Sequence, residues 1–367
     1  MIIEKPEFEI KGKQAFITRQ QPNLNIACSW YGRDPQNTCI KVFYGNPMKE
    51  GDTLKDALWG DMPLPPPSDT RKNTTVFAGS QVQNILWTKG ISPRVFGIFE
   101  AEYNGMRVAC QLTEFIEGEC AEKIEDVYKI WNDTEAVGKE YGFTAQTKKM
   151  GVNDVIGGKN VDPQLWAWDK VSYKSVVERI YYEKGRYGKI YYQNDDELGF
   201  HGGPRHSEDR VKYMKLDEVD FKDKIVWDIG CAGGYFCRYA DKHGAKRVIG
   251  FDMKDPLEAA FHAGNFLGHF NIDYVEADLS KGIPAERLPK ADIAFFLSMN
   301  LHVGILEQLK DIPFVVFEDN SYDGRDKDVL GKPWTDWFNN IRFVGRGLDH
   351  GAKAVYWLNK EQDGEIR

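Results

Sequence analysis

Hydrophobic and polar positions follow one rhythm in the first part of the chain and another in the last. Short β-patterned runs come first: Ala15-Phe16-Ile17-Thr18, Asn25-Ile26-Ala27-Cys28-Ser29-Trp30 and Thr38-Cys39-Ile40-Lys41-Val42-Phe43-Tyr44. Pro, Asn and Gly residues separate them, which predicts an antiparallel meander. The prolines in Pro63-Leu64-Pro65-Pro66-Pro67 predict a stiff exposed loop. After it, Val82, Ile85 and Leu86 fall at helical spacing between Gly79 and Lys89, and Lys89-Gly90 is a helix stop. Arg94–Glu100 and Met106–Thr113 read as strands around Asn104-Gly105, a strong hairpin signal. From Glu119 to about Tyr191 the pattern turns helical and aromatic, with Val127, Ile130 and Trp131 on one face and Val176, Val177, Ile180 and Tyr181 on another.

From Phe221 onward strands and helices alternate. Lys224–Asp228, Arg247–Phe251, Ile272–Glu276, Ala291–Leu297 and Pro313–Glu318 are short apolar runs, and a helix is predicted from Tyr235 to His243, stopped by Gly244. Such alternation predicts a parallel sheet covered on both faces. At 367 residues two domains are the default. The expected architecture is an α/β, doubly wound domain at 211–367, preceded by a smaller α+β domain at 1–119 and a helical connector at 120–210.

Composition narrows the function classes. A net charge of −8 gives no overall field to attract nucleic acid or an anionic membrane. The cations of the connector, among them Lys148, Lys149, Lys159, Arg179 and Lys189, are interrupted by Asp195, Asp196, Glu197, Glu208 and Asp209, and read as a mixed solvated surface. A local basic groove for RNA is the alternative. Six cysteines show no CxxC pairing and no Cys/His cluster, so no metal site is expected and the thiols read as reduced. Neither a secretory h-region nor a run long enough to cross a bilayer is seen, so a cytoplasmic location with no membrane partner is expected.

The chemistry concentrates after the first strand of the second rhythm. Asp228-Ile229-Gly230-Cys231-Ala232-Gly233-Gly234 is an acid followed by small residues, which let the backbone turn sharply and approach a ligand. The helix that follows presents free N–H groups to a carboxylate. A glycine turn alone is shared with dinucleotide enzymes. Asp252 closes the next strand, where a carboxylate accepts both ribose hydroxyls, and Asp278-Leu279 follows the third, where an acid accepts from the exocyclic amine of adenine.

With these motifs the sequence from about Phe221 resembles the class I S-adenosylmethionine-dependent methyltransferases. Asp228–Gly234 matches the family's first motif, with Ala232 where many members have a second glycine; Asp252 matches its ribose acid and Asp278 its adenine-side acid. Ile341–Val344 and Ala354–Leu358 look like its final antiparallel pair. The resemblance implies a seven-stranded sheet and S-adenosyl-L-methionine as cofactor, bound by Asp228, Gly230, Cys231, Ala232, Gly234, Asp252, Asp278, Leu279 and Ser298. After the fourth strand, Ser298-Met299-Asn300-Leu301-His302 occupies the place of catalytic or substrate-contacting residues, and His302 is the candidate base. Its other reading is a cap for the next helix. The expected acceptor is a hydroxyl or amine of a small molecule or glycan; the alternatives are RNA, tRNA in particular, and a non-catalytic cofactor-binding module. Arg205 and Arg210 read as exposed surface cations, the other option being contact with the cofactor carboxylate or an anionic acceptor.

The first domain resembles the small lobe of the protein kinase-like fold, with Lys41 placed like the phosphate-contacting lysine and Gln111–Gly118 like the last strand and hinge. Gln83 stands where that lysine's glutamate partner belongs, the Gln20–Asn23 loop lacks the usual glycines, and no HRD or DFG segment follows. Kinase activity and ATP binding are therefore not expected, and a scaffold that docks the acceptor or a partner is.

Overall fold

The short N-terminal runs pair as their alternation requires. A computed structural model describes residues 8–9, 15–20, 24–28, 38–43, 47–57, 75–103, 105–114, 116, 118, 121–145, 155–160, 165–187, 190–191, 193–299, 303–319, 332–347 and 353–360. Two compact units divide the chain, Met1–Val176 and Val177–Arg367.

In the first unit, β1 (Phe8–Glu9), β2 (Ala15–Gln20), β3 (Leu24–Cys28) and β4 (Thr38–Phe43) precede α1 (Val76–Thr88), which is followed by β5 (Val95–Tyr103) and β6 (Met106–Glu114). The six strands form one antiparallel sheet in the order β1-β5-β6-β4-β3-β2. Gly105, at φ +73°, makes the β5–β6 turn. Thr75 caps α1 by accepting from the Ala78 N–H at 3.2 Å, and Gly90 follows its end at φ +75°. The helix is buried through Val76, Val82, Ile85 and Leu86, and through the amides of Gln81, Gln83 and Asn84. Asn84 grips the start of β5, accepting from the Val95 N–H at 2.8 Å, while Gln83 donates to the Pro93 carbonyl at 3.0 Å. The proline-rich loop lies outside the described residues.

The stretch expected to be helical from Glu119 to Tyr191 is only partly so. It holds α2 (Ile124–Tyr141), then β7 (Phe143–Ala145), β8 (Val155–Ile156), β9 (Lys159–Asn160) and β10 (Leu165–Trp168), then α3 (Lys170–Lys184), β11 (Arg186–Tyr187) and β12 (Ile190–Tyr191). Glycines break the helical pattern: Gly142 ends α2 at φ +75°, and Gly157 and Gly158, at φ +55° and +74°, turn β8 back on β9. The boundary between the units falls within α3, so the 120–210 segment contributes to both.

The second unit continues with α4 (Ser207–Met214), β13 (Ile225–Ile229), α5 (Tyr235–Lys242), β14 (Arg247–Asp252), α6 (Lys254–Leu267), β15 (Ile272–Glu276), β16 (Ile293–Leu297), α7 (Val303–Leu309), β17 (Phe314–Glu318), α8 (Trp334–Trp337), β18 (Asn340–Arg346) and β19 (Ala354–Asn359). Its seven-stranded sheet runs β15-β14-β13-β16-β17-β19-β18, parallel except for the last pair, in which β19 inserts antiparallel beside β17. Every residue of β16 and β17 is buried, as strands covered on both faces must be. The Trp357 indole donates to the Met214 carbonyl at 3.1 Å, tying α4 to β19. Strand order reverses between β13 and β16, and the crevice beyond the C-terminal ends of such strands is where open α/β sheets bind ligands. Among the described residues no helix is long and apolar enough to cross a membrane.

Phe295 lies fully buried in the middle of β16, its ring centroid 5.8 Å from that of Phe221 and 5.9 Å from that of Phe236. Phe295→Ala is expected to cost the second unit about 3–5 kcal/mol, read as an earlier midpoint in urea denaturation followed by Trp227 and Trp357 fluorescence.

Candidate functional site

The glycine turn is fastened to the neighbouring strand. Gly230 leaves β13 at φ +78°, and the N–H groups of Gly230 and Cys231 both donate to the Phe251 carbonyl, at 2.8 and 3.1 Å. Gly234, at φ +74°, is the N-cap of α5. Side chains crowd this turn: a Cβ on Gly230 would overlap the Met299 thioether, and one on Gly234 would come within 2.9 Å of both Ala260 and the Tyr274 hydroxyl. Ala232 bears a Cβ yet sits at φ +48°. Its N–H donates to Asp252 Oδ2 at 2.9 Å, so the acid that closes β14 holds the turn in that conformation.

Asp252 Oδ1 accepts from the Met253 N–H at 2.8 Å. Two backbone bonds leave this carboxylate further acceptor capacity. Burial raises its pKa, with the two N–H bonds opposing. Asp228 is more enclosed: burial pushes its carboxyl up to about 7, against a hydrogen bond from Cys237 Sγ at 3.2 Å and the charge of Arg210. Cys231 lies beside it, its thiol pushed up to about 11 by burial. Asp278 is exposed; Lys281 at 2.9 Å and the Ser280 hydroxyl at 2.6 Å hold its pKa down to about 2, and the adjacent Leu279 is buried. Asp228, the 230–234 turn and Asp252 are thus brought together, with Asp278 and Leu279 beyond the end of the neighbouring β15.

Arg205 and Arg210 are buried, contrary to the surface placement expected of them. Their partner explains this. Glu318, the last residue of β17, has no exposure; it accepts from Arg210 Nη2 at 2.8 Å and from the Tyr213 hydroxyl at 2.8 Å, and Arg205 Nη1 lies 3.7 Å away. Burial alone would push its carboxyl up, but the charges of Arg210 and Arg205 outweigh this and hold it below the usual range. Ser298 belongs to the same cluster: its hydroxyl donates to Glu318 and accepts from Arg205 Nη2 at 2.9 Å. A second buried pair stands behind the glycine turn, where Arg238 of α5 donates to the Gly233 carbonyl at 2.8 Å and pairs with Asp195, itself reached by the Tyr181 hydroxyl at 3.4 Å.

Sequence reasoning missed Glu318, Arg238 and Asp195. An acid closing an apolar strand, as Asp228 and Asp252 do, was the signal for Glu318. His302 lies outside the described residues. Among the described residues no group of three His, Cys, Asp or Glu side chains is arranged to hold a metal.

No family model matches the chain. Over 40 residues it is 58% identical to protein arginine N-methyltransferase 1 of Saccharomyces cerevisiae, covering 11% of this chain and 12% of that protein. Over 153 residues it is 28% identical to the tRNA U34 carboxymethyltransferase of Cellvibrio japonicus, covering 39% of this chain and 46% of that protein. The chain thus spans less than half the length of these curated relatives. Among solved structures, a crystal structure of WbdD is 18% identical with a TM-score of 0.38, covering 46% of this chain and 44% of that one. A dimethyladenosine transferase from Plasmodium falciparum is 14% identical with a TM-score of 0.33, covering 42% and 62%. The curated relatives are methyltransferases by name, and this chain resembles the class I S-adenosylmethionine-dependent methyltransferases in its glycine turn, in the acid that closes β14 and in its seven-stranded, mostly parallel sheet.

Proposed function

We propose that the second unit binds S-adenosyl-L-methionine beyond the C-terminal ends of β13, β14 and β15 and transfers its methyl group to a hydroxyl or amine of a small molecule or glycan. The observation that carries this reading is the bond between Asp252 and the Ala232 N–H, which makes the glycine turn and the strand-closing acid one binding element. The residues fit the cofactor. Asp252 keeps acceptor capacity for ribose hydroxyls, exposed Met253 offers apolar surface for adenine, and exposed Asp278 offers an acceptor for its amine. The Gly230–Gly234 turn and the start of α5 offer backbone N–H groups to the amino-acid end. When bound, the cofactor supplies a methyl group activated by a sulfonium; the chain's task is to hold donor and acceptor in line.

A second reading of the acceptor is RNA, favoured by the 28% identity to a tRNA U34 carboxymethyltransferase. In the first unit, Gln83 is fully buried and engaged with Pro93, so a neutral amide occupies the helix position at which the kinase-like resemblance calls for a glutamate. We read this unit as a scaffold for the acceptor or a partner.

Calorimetric titration tests the cofactor. S-adenosylmethionine and S-adenosylhomocysteine are expected to bind, Asp252→Ala to weaken both by about 10- to 100-fold through loss of charge-assisted hydrogen bonds, and magnesium-ATP to give no heat. Binding of ATP alone would overturn the reading of both units. The same titration across pH tests Asp228. Burial keeps its carboxyl protonated up to about pH 7, and a cationic ligand favours the ionised form. Affinity is therefore expected to rise with pH to about 7 and then level off, and Asp228→Asn to flatten the rise.

Transfer of labelled methyl from S-adenosylmethionine into fractionated extract tests the acceptor. Label is expected in small-molecule and glycan fractions; label in ribonuclease-sensitive material, with binding that weakens steeply as salt rises, decides for RNA. Cofactor binding with no label in any fraction leaves a binding module. His302→Ala is expected to slow incorporation about 10²- to 10⁴-fold at unchanged S-adenosylhomocysteine affinity, as loss of a general base requires.

A further inference from the structure

Among the described residues four that are not glycine take positive φ: Lys215, Asp223, Ala232 and Ser298. Lys215 is the C-cap of α4 and Asp223 lies in the turn before β13, both ordinary places for a left-handed residue. Ala232 and Ser298 are different. They lie just beyond the C-terminal ends of β13 and β16, the neighbouring strands between which strand order reverses. A side chain with a Cβ resists this conformation, which persists only where surrounding contacts over-determine it.

Ser298, at φ +58°, is held on both sides. Its N–H donates to the Glu318 carbonyl at 3.0 Å, its hydroxyl donates to the Glu318 carboxylate, and Arg205 Nη2 donates to that hydroxyl at 2.9 Å. Glu318 and Arg205 are both without solvent exposure, so the anchor is rigid. The next residue, Met299, leaves the turn with its thioether packed on Gly230, where a Cβ has no room. A bend at the end of one strand therefore fixes a side chain against the glycine turn at the end of its neighbour.

We propose that Ser298 is a positioning residue of the methyl-transfer site: Arg205 and Glu318 clamp its hydroxyl, the clamp enforces the left-handed bend, and the bend seats Met299 against Gly230 to form the wall at the amino-acid end of the cofactor. This rests on the methyltransferase reading and assigns Ser298 a role in shape, with its hydroxyl turned to the protein.

Two substitutions separate bend from hydroxyl. Ser298→Ala and Ser298→Gly lose the same hydrogen bonds, but glycine takes the bend unaided. The probes are S-adenosylhomocysteine and methylthioadenosine, which lacks the amino-acid end, titrated by calorimetry with thermal unfolding alongside. Ser298→Ala is expected to weaken S-adenosylhomocysteine about tenfold, with methylthioadenosine within about twofold, and Ser298→Gly to recover most of that loss relative to Ser298→Ala. Equal losses of S-adenosylhomocysteine in the two variants would make the hydroxyl a ligand contact and overturn the proposal. No loss in Ser298→Ala, or parallel loss of both ligands in it, also overturns it. Failure of the unaltered, folded protein to bind either ligand overturns the methyltransferase reading itself, and is recognised before any substitution is compared.

Discussion

A carboxylate with no solvent exposure has to be neutralised where it stands, and Glu318 at the end of β17 imposes that condition on the second unit. It is met by residues that precede the first strand of the sheet. Arg205 and Arg210 fold inward, Tyr213 adds its hydroxyl, and Ser298 on the adjoining loop is drawn into the same cluster. Arg238 repeats the arrangement one element away, pairing with Asp195 while donating to the Gly233 carbonyl. Both pairs join the segment before β13 to the rim where strands end. Breaking such a pair by removing one partner leaves a buried charge uncompensated, which is far costlier than losing a surface ion pair. The rim is rigid for that reason.

Rigidity there has a use. Ala232 and Ser298 both hold left-handed backbone on either side of the reversal in strand order, and each is restrained by the carboxylate that closes a neighbouring strand: Asp252 for the first and Glu318 for the second. A carboxylate able to accept several hydrogen bonds at once suits this task, since one group pins a turn and retains lone pairs for other donors. The strain is local, and the fixed contacts around it supply the restraint.

The alternation from Phe221 onward was legible because each strand of a parallel sheet is a compact apolar run and each connection a helix, a pattern that needs no distant information. The turn at 230–234 and the acid Asp252 were legible for the same reason: their residue types are dictated by local backbone and by position at a strand end. The burial of Arg205 and Arg210 was not. Their partner lies 108 residues from Arg210 along the chain, and a cation in a mixed run of charges looks the same whether it meets water or a buried acid. The stretch from Glu119 to Tyr191 misled differently. Its apolar spacing was helical in part, but Gly142, Gly157 and Gly158 admit left-handed turns that break the helix into short paired strands.

The two units meet the problem of buried polarity by different means. In the first, α1 is held by neutral groups: Asn84 to Val95, Gln83 to Pro93, and Gln111 of β6 to the Ser80 hydroxyl at 2.8 Å. Amides and hydroxyls fix a helix against a sheet with no charge to compensate, which makes the packing specific without making it electrostatically active. Lys41 lies between Gln111 and Asn25 in the sheet register. In the second unit carboxylates lie at or next to the ends of β13, β14 and β17, and two of them carry raised pKa values because burial disfavours their charge. A ligand bearing positive charge relieves that penalty on binding. Charge is thus gathered at the rim of the parallel sheet, whereas among the described residues of the first unit the buried side chains that hold α1 are neutral.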